Sequence, residues 1–230
     1  QDTHSSVATQ FRQVDVVMST GGMVAAKTPS LSRIHYERTA MGTRILALVG
    51  SLRSGSDNLR LAEAAVKLAP SGVSVEIFEG LADVALYNED IDQPGVVAAA
   101  DRLRAEVQSA DALLLVTPEY NGTMSAALKN AIDWISRPFG VGVISGKPVA
   151  VIGASHGQYG GVWAHDDARK SARVAGANVL DDLKLSVPAA HTRFASIHPV
   201  DDEEIAAMMP EILTSLAAAV PSRDASGSAI

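Results

Sequence analysis

The chain has 230 residues, of which 47% are hydrophobic and 20% charged, and it contains no cysteine. This composition predicts a globular domain with a sizeable core, and it excludes disulfides and cysteine-ligated metal or redox centres. The net charge of −7 argues against a nucleic-acid partner, because such binding depends on neutralising phosphate charge. No apolar run approaches the ~20 residues that span a bilayer, and without an export signal we expect a cytoplasmic protein.

The predicted elements alternate along the chain. Residues 1–43 show no lasting periodicity and are expected to be a disordered extension, residues 44–220 a single domain, and residues 221–230 a loose Ser/Gly-rich tail. Within the domain, strands are predicted over 45–49, 73–78, 112–117, 149–152 and 183–187, and helices over 59–68, 96–107, 128–135, 162–175 and 201–220. Such alternation predicts an α/β fold in three layers, with a parallel sheet covered by helices on both faces.

The loop after the first strand has the chemistry of a phosphate site. It reads GSLRSGSDN over residues 50–58 and leads directly into a helix, whose first N–H groups lack internal partners and carry the positive end of the dipole. Ser51, Ser56 and Asn58 can donate hydrogen bonds, and Arg53 adds a charged donor. The loop lacks the signatures of ATP-type and dinucleotide-type loops, so a single terminal phosphate such as that of FMN fits best. An ordinary polar turn with a Ser or Asp cap is the alternative.

A second polar loop follows the third strand. It reads PEYNGTMS over residues 118–125 and also precedes a helix. In an open parallel sheet, ligands bind beyond the carboxyl ends of the strands near the point where the strand order reverses, so both loops are expected to face one crevice. Tyr120 can stack on a ring, and backbone N–H groups around Asn121 and Gly122 can bond its polar edge. The alternative is a plain Asn-Gly turn with a surface aromatic.

These motifs resemble the NAD(P)H-dependent FMN reductase family, which includes flavin, quinone, azo-dye and chromate reductases. Residues 50–62 resemble its phosphate loop, and residues 118–122 with 128–134 are similar to its second signature. Residues 86–90 resemble the segment after its second strand. A glycine-rich loop at 153–161 falls where the family lines the flavin from the other side. Family members often carry Pro-Gly where this chain has Ser125-Ala126, a departure that concerns substrate preference more than flavin binding.

The resemblance implies a flavodoxin-like, doubly wound sheet of five parallel strands in the order 2-1-3-4-5. It also implies an enzyme that passes hydride from NADPH or NADH to bound FMN, and then to a small-molecule acceptor such as a quinone, an azo compound, chromate or free flavin. A homodimer or homotetramer is expected. No catalytic side chain and no metal are expected, since the flavin carries the chemistry. The predicted cofactor-binding residues are Ser51, Arg53, Ser56, Asn58, Pro118, Glu119, Tyr120, Asn121, Gly122, Ser155, Gly157 and Gly161.

Other interpretations stay open at this point. A flavodoxin-type electron carrier would share the fold and the FMN without oxidising NAD(P)H itself, and a cofactor-free interaction protein could retain the fold alone. Within the family, FMN can also act as a dissociating substrate. His156 is either a ring contact or a solvated loop residue. His165, Asp166 and Asp167 are adjacent on a predicted helix and point apart, so no metal site is expected there.

Overall fold

The computed structural model describes residues 42–221, so the expected extension and tail lie almost wholly outside the described residues. The strands are β1 (Thr43–Val49), β2 (Val73–Ile77), β3 (Ala112–Val116), β4 (Glu119–Tyr120), β5 (Thr123–Met124), β6 (Pro148–Ala154) and β7 (Asn178–Val187). The helices are α1 (Asp57–Lys67), α2 (Ala98–Ser109), α3 (Ala126–Ile135), α4 (Val162–Val174), α5 (Ala190–Arg193) and α6 (Glu203–Ala218). Within this range, no helix is long and apolar enough to cross a membrane.

Five strands form one parallel sheet in the order β2-β1-β3-β6-β7. This is the order 2-1-3-4-5 that the resemblance implied, and the prediction of a flavodoxin-like sheet is confirmed. The strand order reverses between β1 and β3, because β2 adds to one side of β1 and all later strands add to the other. The loops after β1 and β3 therefore diverge and leave a crevice between them.

The core lies on both faces of the sheet, because successive strand residues point to opposite sides. On one face, Leu46, Leu113 and Val151 pack with residues of α2, α3 and α4. On the other face, Ile45 and Leu114 pack with residues of α1 and α6. These two clusters bury the three central strands on both faces, so the loops at their carboxyl ends extend from a well-packed core.

Three features depart from the predicted elements. A short antiparallel hairpin, β4–β5, occupies part of the second polar loop. Strand β7 begins at Asn178, five residues earlier than predicted, and a register shift against β6 interrupts the alternation on which the prediction depended. The last helix begins at Glu203, because the Asp202 side chain accepts a hydrogen bond from the Ile205 N–H and caps it there.

Candidate cofactor-binding site

A cleft of about 430 Å³ lies at the carboxyl ends of β1, β3 and β6. Its size is within the range of small-molecule sites. Nine of the twelve predicted residues line it: Ser51, Arg53, Ser56, Asn58, Pro118, Glu119, Tyr120, Ser155 and Gly157. Three further residues, Asp57, Ala154 and His156, complete the lining. Residues from three loops that are distant in sequence thus face one another.

Three predicted residues do not line this cleft. Asn121 and Gly122 form the turn of the β4–β5 hairpin, and both have positive φ angles, of 54° and 74°. Asn121 instead lines a neighbouring hollow that also contains Tyr120. Gly161 precedes α4 with a φ of 87°, and a β-carbon there would lie 3.3 Å from the buried His165 ring. All three positions have positive φ angles in the described structure, so the conformation of the backbone accounts for the residue types found there.

The loop after β1, predicted to bind a phosphate, ends at Ser56, the N-cap of α1. Its hydroxyl oxygen accepts hydrogen bonds from the N–H groups of Asn58 (3.2 Å) and Leu59 (3.3 Å). The Ser56 O–H has no acceptor in the described part of the chain, so it can donate into the cleft. Arg53 is exposed at the lip of the cleft and forms no ion pair with any described residue. A hydroxyl donor, a free guanidinium and a helix amino terminus suit a phosphate monoester.

Asn58 lines the cleft and also holds two segments of the chain together. Its side-chain N–H donates to the Ala154 carbonyl and its side-chain oxygen accepts from the Ala154 N–H, each at 2.8 Å. Through these two hydrogen bonds, Asn58 ties the loop after β1 to the end of β6. It shapes the cleft through Ala154.

The second loop is held by its own side chains. The Thr117 hydroxyl donates to the Pro118 carbonyl at 2.8 Å, and Glu119 accepts a hydrogen bond from the Ala164 N–H in the first turn of α4 at 3.3 Å. Glu119 thus joins the loop to α4. Tyr120 is 51% exposed and lines the cleft, where its ring can cover a flat ligand.

A buried imidazole lies beneath both loops. His165 is fully buried, and its Nδ1 lies 2.9 Å from the Ser186 hydroxyl. Its Nε2 makes no hydrogen bond of good geometry with any residue in the described range, and it lies close to the position that a Gly153 side chain would occupy. Burial, reinforced by nearby Arg169, lowers the pKa of His165 to about 4. Within residues 42–221, His165 belongs to no group of three or more potential metal ligands.

This imidazole predicts an acid-dependent loss of stability. Between its ordinary pKa of 6.5 and the folded-state pKa of about 4, the unfolded chain binds a proton that the folded chain excludes. The free energy of unfolding therefore falls as the pH falls through this window. We expect a loss of about 2 kcal/mol from His165 between pH 7 and pH 5. Urea unfolding at pH 7 and pH 5 measures this fall in the protein and in His165→Gln. The free energy of unfolding should fall less in the variant, by about this amount. An equal fall in both proteins would show that His165 is not its source.

On the other side of Tyr120, a second surface lies between α3 and α4. A hollow of about 570 Å³ and a groove of about 260 Å³ adjoin there, since both are lined by Lys129, Lys170 and Ser171. Apolar side chains stand exposed in or beside this surface, among them Phe139 and Val174. We call it the α3/α4 face.

Comparison with known proteins places these features in a family. The family model described as NADPH-dependent FMN reductase matches residues 43–192. An NAD(P)H-dependent FMN reductase of Pseudomonas aeruginosa is 36% identical over 173 residues, which cover 75% of this chain and 92% of that protein. A quinone reductase of Pseudomonas putida is 45% identical over 127 residues, covering 55% and 68% respectively.

A solved structure shows the same arrangement of elements. The flavoenzyme NAD(P)H:(acceptor) oxidoreductase of Paracoccus denitrificans superposes with a TM-score of 0.67 at 28% sequence identity. The match covers 77% of this chain and 97% of that one. The likeness therefore extends over nearly the whole of that flavoenzyme.

Proposed function

Since the chain belongs to the NADPH-dependent FMN reductase family, we propose that the cleft described above binds FMN with its phosphate at the amino terminus of α1. The protein is an oxidoreductase that uses NAD(P)H and FMN to reduce small-molecule acceptors such as quinones. The proposed site is supported by one observation above all: the free donors of Ser56 and Arg53 share a cleft with Tyr120, a candidate ring contact.

The protein's contribution is binding and orientation. FMN, when bound, supplies hydride transfer between the nicotinamide and the acceptor. Ser51, Ser56 and Arg53 hold the phosphate by hydrogen bonds and charge. Pro118, Tyr120 and the 155–157 segment line the remainder of the cleft and exclude water from one side. Glu119 already accepts the Ala164 N–H, which assigns it to loop architecture and not to proton transfer.

Removal of Arg53 tests the phosphate end. We expect Arg53→Ala to weaken FMN binding by about 1.5–3 kcal/mol, the range for a hydrogen bond to a charged group. Titration of flavin fluorescence measures the dissociation constant. The matched control is Arg102→Ala, which removes the same charge at a site where Arg102 donates to the Glu79 carbonyl, outside the cleft lining. Equal FMN affinity in the two variants would remove Arg53 from the site.

An anaerobic spectrum tests the function as a whole. The purified protein is reconstituted with FMN, and the visible flavin band is recorded before and after one equivalent of NADPH, then after a quinone. Bleaching by NADPH and recovery with the quinone are expected. Binding of FMN without bleaching would favour an electron carrier that depends on a separate reductase, and absence of binding would contradict both functions.

The proposed partners are small molecules and further copies of this chain, and the proposed compartment is the cytoplasm. The α3/α4 face supports a homodimer or homotetramer, because it exposes Phe139 and Val174 beside a groove. It reaches Tyr120, so a second copy placed on it would border the cofactor cleft. Measurement of the mass in solution tests this, and a monomer at micromolar concentration would contradict it.

A further inference from the structure

An acidic side chain forms part of the wall where the phosphate is proposed to bind. Asp57 is the first residue of α1, directly after the N-cap, and it lines the cleft beside Ser56 and Arg53. Its side chain is only 11% exposed. A carboxylate in the first turn of a helix interacts favourably with the positive end of the helix dipole. Asp57 therefore occupies the same favourable potential that would attract a phosphate.

The charge of Asp57 is weakly compensated. The nearest basic side chains among the described residues are those of Arg60 and His156, and each lies 3.4 Å from a carboxylate oxygen. These distances exceed the 2.7–2.9 Å of strong charge-assisted hydrogen bonds. The Arg60 guanidinium also donates to the Phe194 and Ile197 carbonyls, and the His156 side chain is 64% exposed. Negative charge consequently persists in the wall of the cleft.

We propose that Asp57 sets the affinity of this protein for FMN by repelling the phosphate, so that FMN exchanges with solution. The inference rests on the proposed function, because it takes the phosphate to lie at the amino terminus of α1. Arg53 and the Ser56 hydroxyl attract the phosphate, and Asp57 opposes them at short range. Asp57 takes no part in hydride transfer, and its effect is confined to the phosphate.

Riboflavin, which has the same ring without the phosphate, isolates this effect. We expect Asp57→Asn to lower the dissociation constant of FMN about tenfold at low ionic strength, and the gain to shrink as salt is added. The dissociation constant of riboflavin should not change. Desalting should leave more FMN on the variant than on the unaltered protein. The matched control is Asp182→Asn, which removes an exposed carboxylate on β7, outside the cleft lining, and should leave both constants unchanged.

The outcomes separate the two proposals. If the unaltered protein binds neither flavin, the proposed function fails. If it binds FMN and Asp57→Asn binds FMN equally or more weakly, or if riboflavin affinity changes as much as FMN affinity, only the role of Asp57 is overturned. Circular dichroism verifies that the variant is folded. If Asp57→Asn does not fold, the same titrations are made with Asp57→Ser, which removes the charge and keeps a residue suited to a helix start.

Discussion

Gly153→Ala is expected to destabilise the protein by about 3 kcal/mol, the upper end of the usual range for overpacked positions. A β-carbon at this position would overlap the Thr117 carbonyl oxygen and would lie 2.5 Å from His165 Nε2. Gly153 is in β6 and Thr117 directly follows β3, so the Thr117 carbonyl cannot move away without displacing a central strand. The same displacement would shift Pro118 and Ala154 in the wall of the cleft, so FMN affinity should fall as well.

Thermal and urea unfolding measure the effect. The control is Gly157→Ala, where a β-carbon would meet only the Ser155 hydroxyl oxygen, at 3.6 Å, and where stability should change little. The double variant Gly153→Ala with His165→Ala should not recover stability, because the Thr117 backbone still blocks the space. Recovery in the double variant would show that the His165 ring, and not the backbone, is the obstacle.

Asn58→Ala is expected to cost about 4 kcal/mol, because it leaves two buried backbone groups of Ala154 without partners and each such loss costs 1–3 kcal/mol. The buried amide joins α1 to the end of β6 across 96 residues of sequence. Without it, the phosphate loop and the 155–157 segment lose their common support. FMN affinity should therefore fall together with stability.

A second buried asparagine provides the control for this prediction. Asn130 in α3 donates to the carbonyls of Val84 and Ala85 and accepts from the Tyr87 N–H, and none of these residues lines the cleft. Asn130→Ala should lose comparable stability and keep its FMN affinity. Equal loss of FMN affinity in both variants would mean that Asn58 acts only through overall stability.

The main features of the fold could be predicted from the sequence. Runs such as 45–49 and 112–116 are continuously apolar because their strands are buried on both faces, and the helical periodicities between them indicate a parallel sheet. The elements that were missed lack a local signal. The β4–β5 hairpin has only two residues in each strand, and the exposed Asp181 and Asp182 interrupt the apolar pattern of β7 near its register shift.

The residues of the candidate site were easier to find than their roles. Ser56 and Arg53 stand in a recognisable loop between a strand and a helix, so the sequence alone was enough to propose them as phosphate contacts. Asp57 is in the same loop, but its position in the cleft wall depends on how α1 begins against the 155–157 segment. His165 had no signal beyond its type, because only packing shows that it lies under Gly153 and Thr117.

The sequence by itself determined the fold class and the family, and it singled out the loops proposed to bind the cofactor, because periodicity, glycine positions and polar loop residues are local properties of the chain. Only the tertiary structure decided which polar atoms remain available to a ligand. The Asn58 amide is engaged by Ala154, 96 residues away, while the Ser56 hydroxyl keeps its proton free to donate. Whether a polar atom is free depends on hydrogen-bond partners that the sheet brings together. Those partners are far apart along the chain, so the sequence does not reveal them.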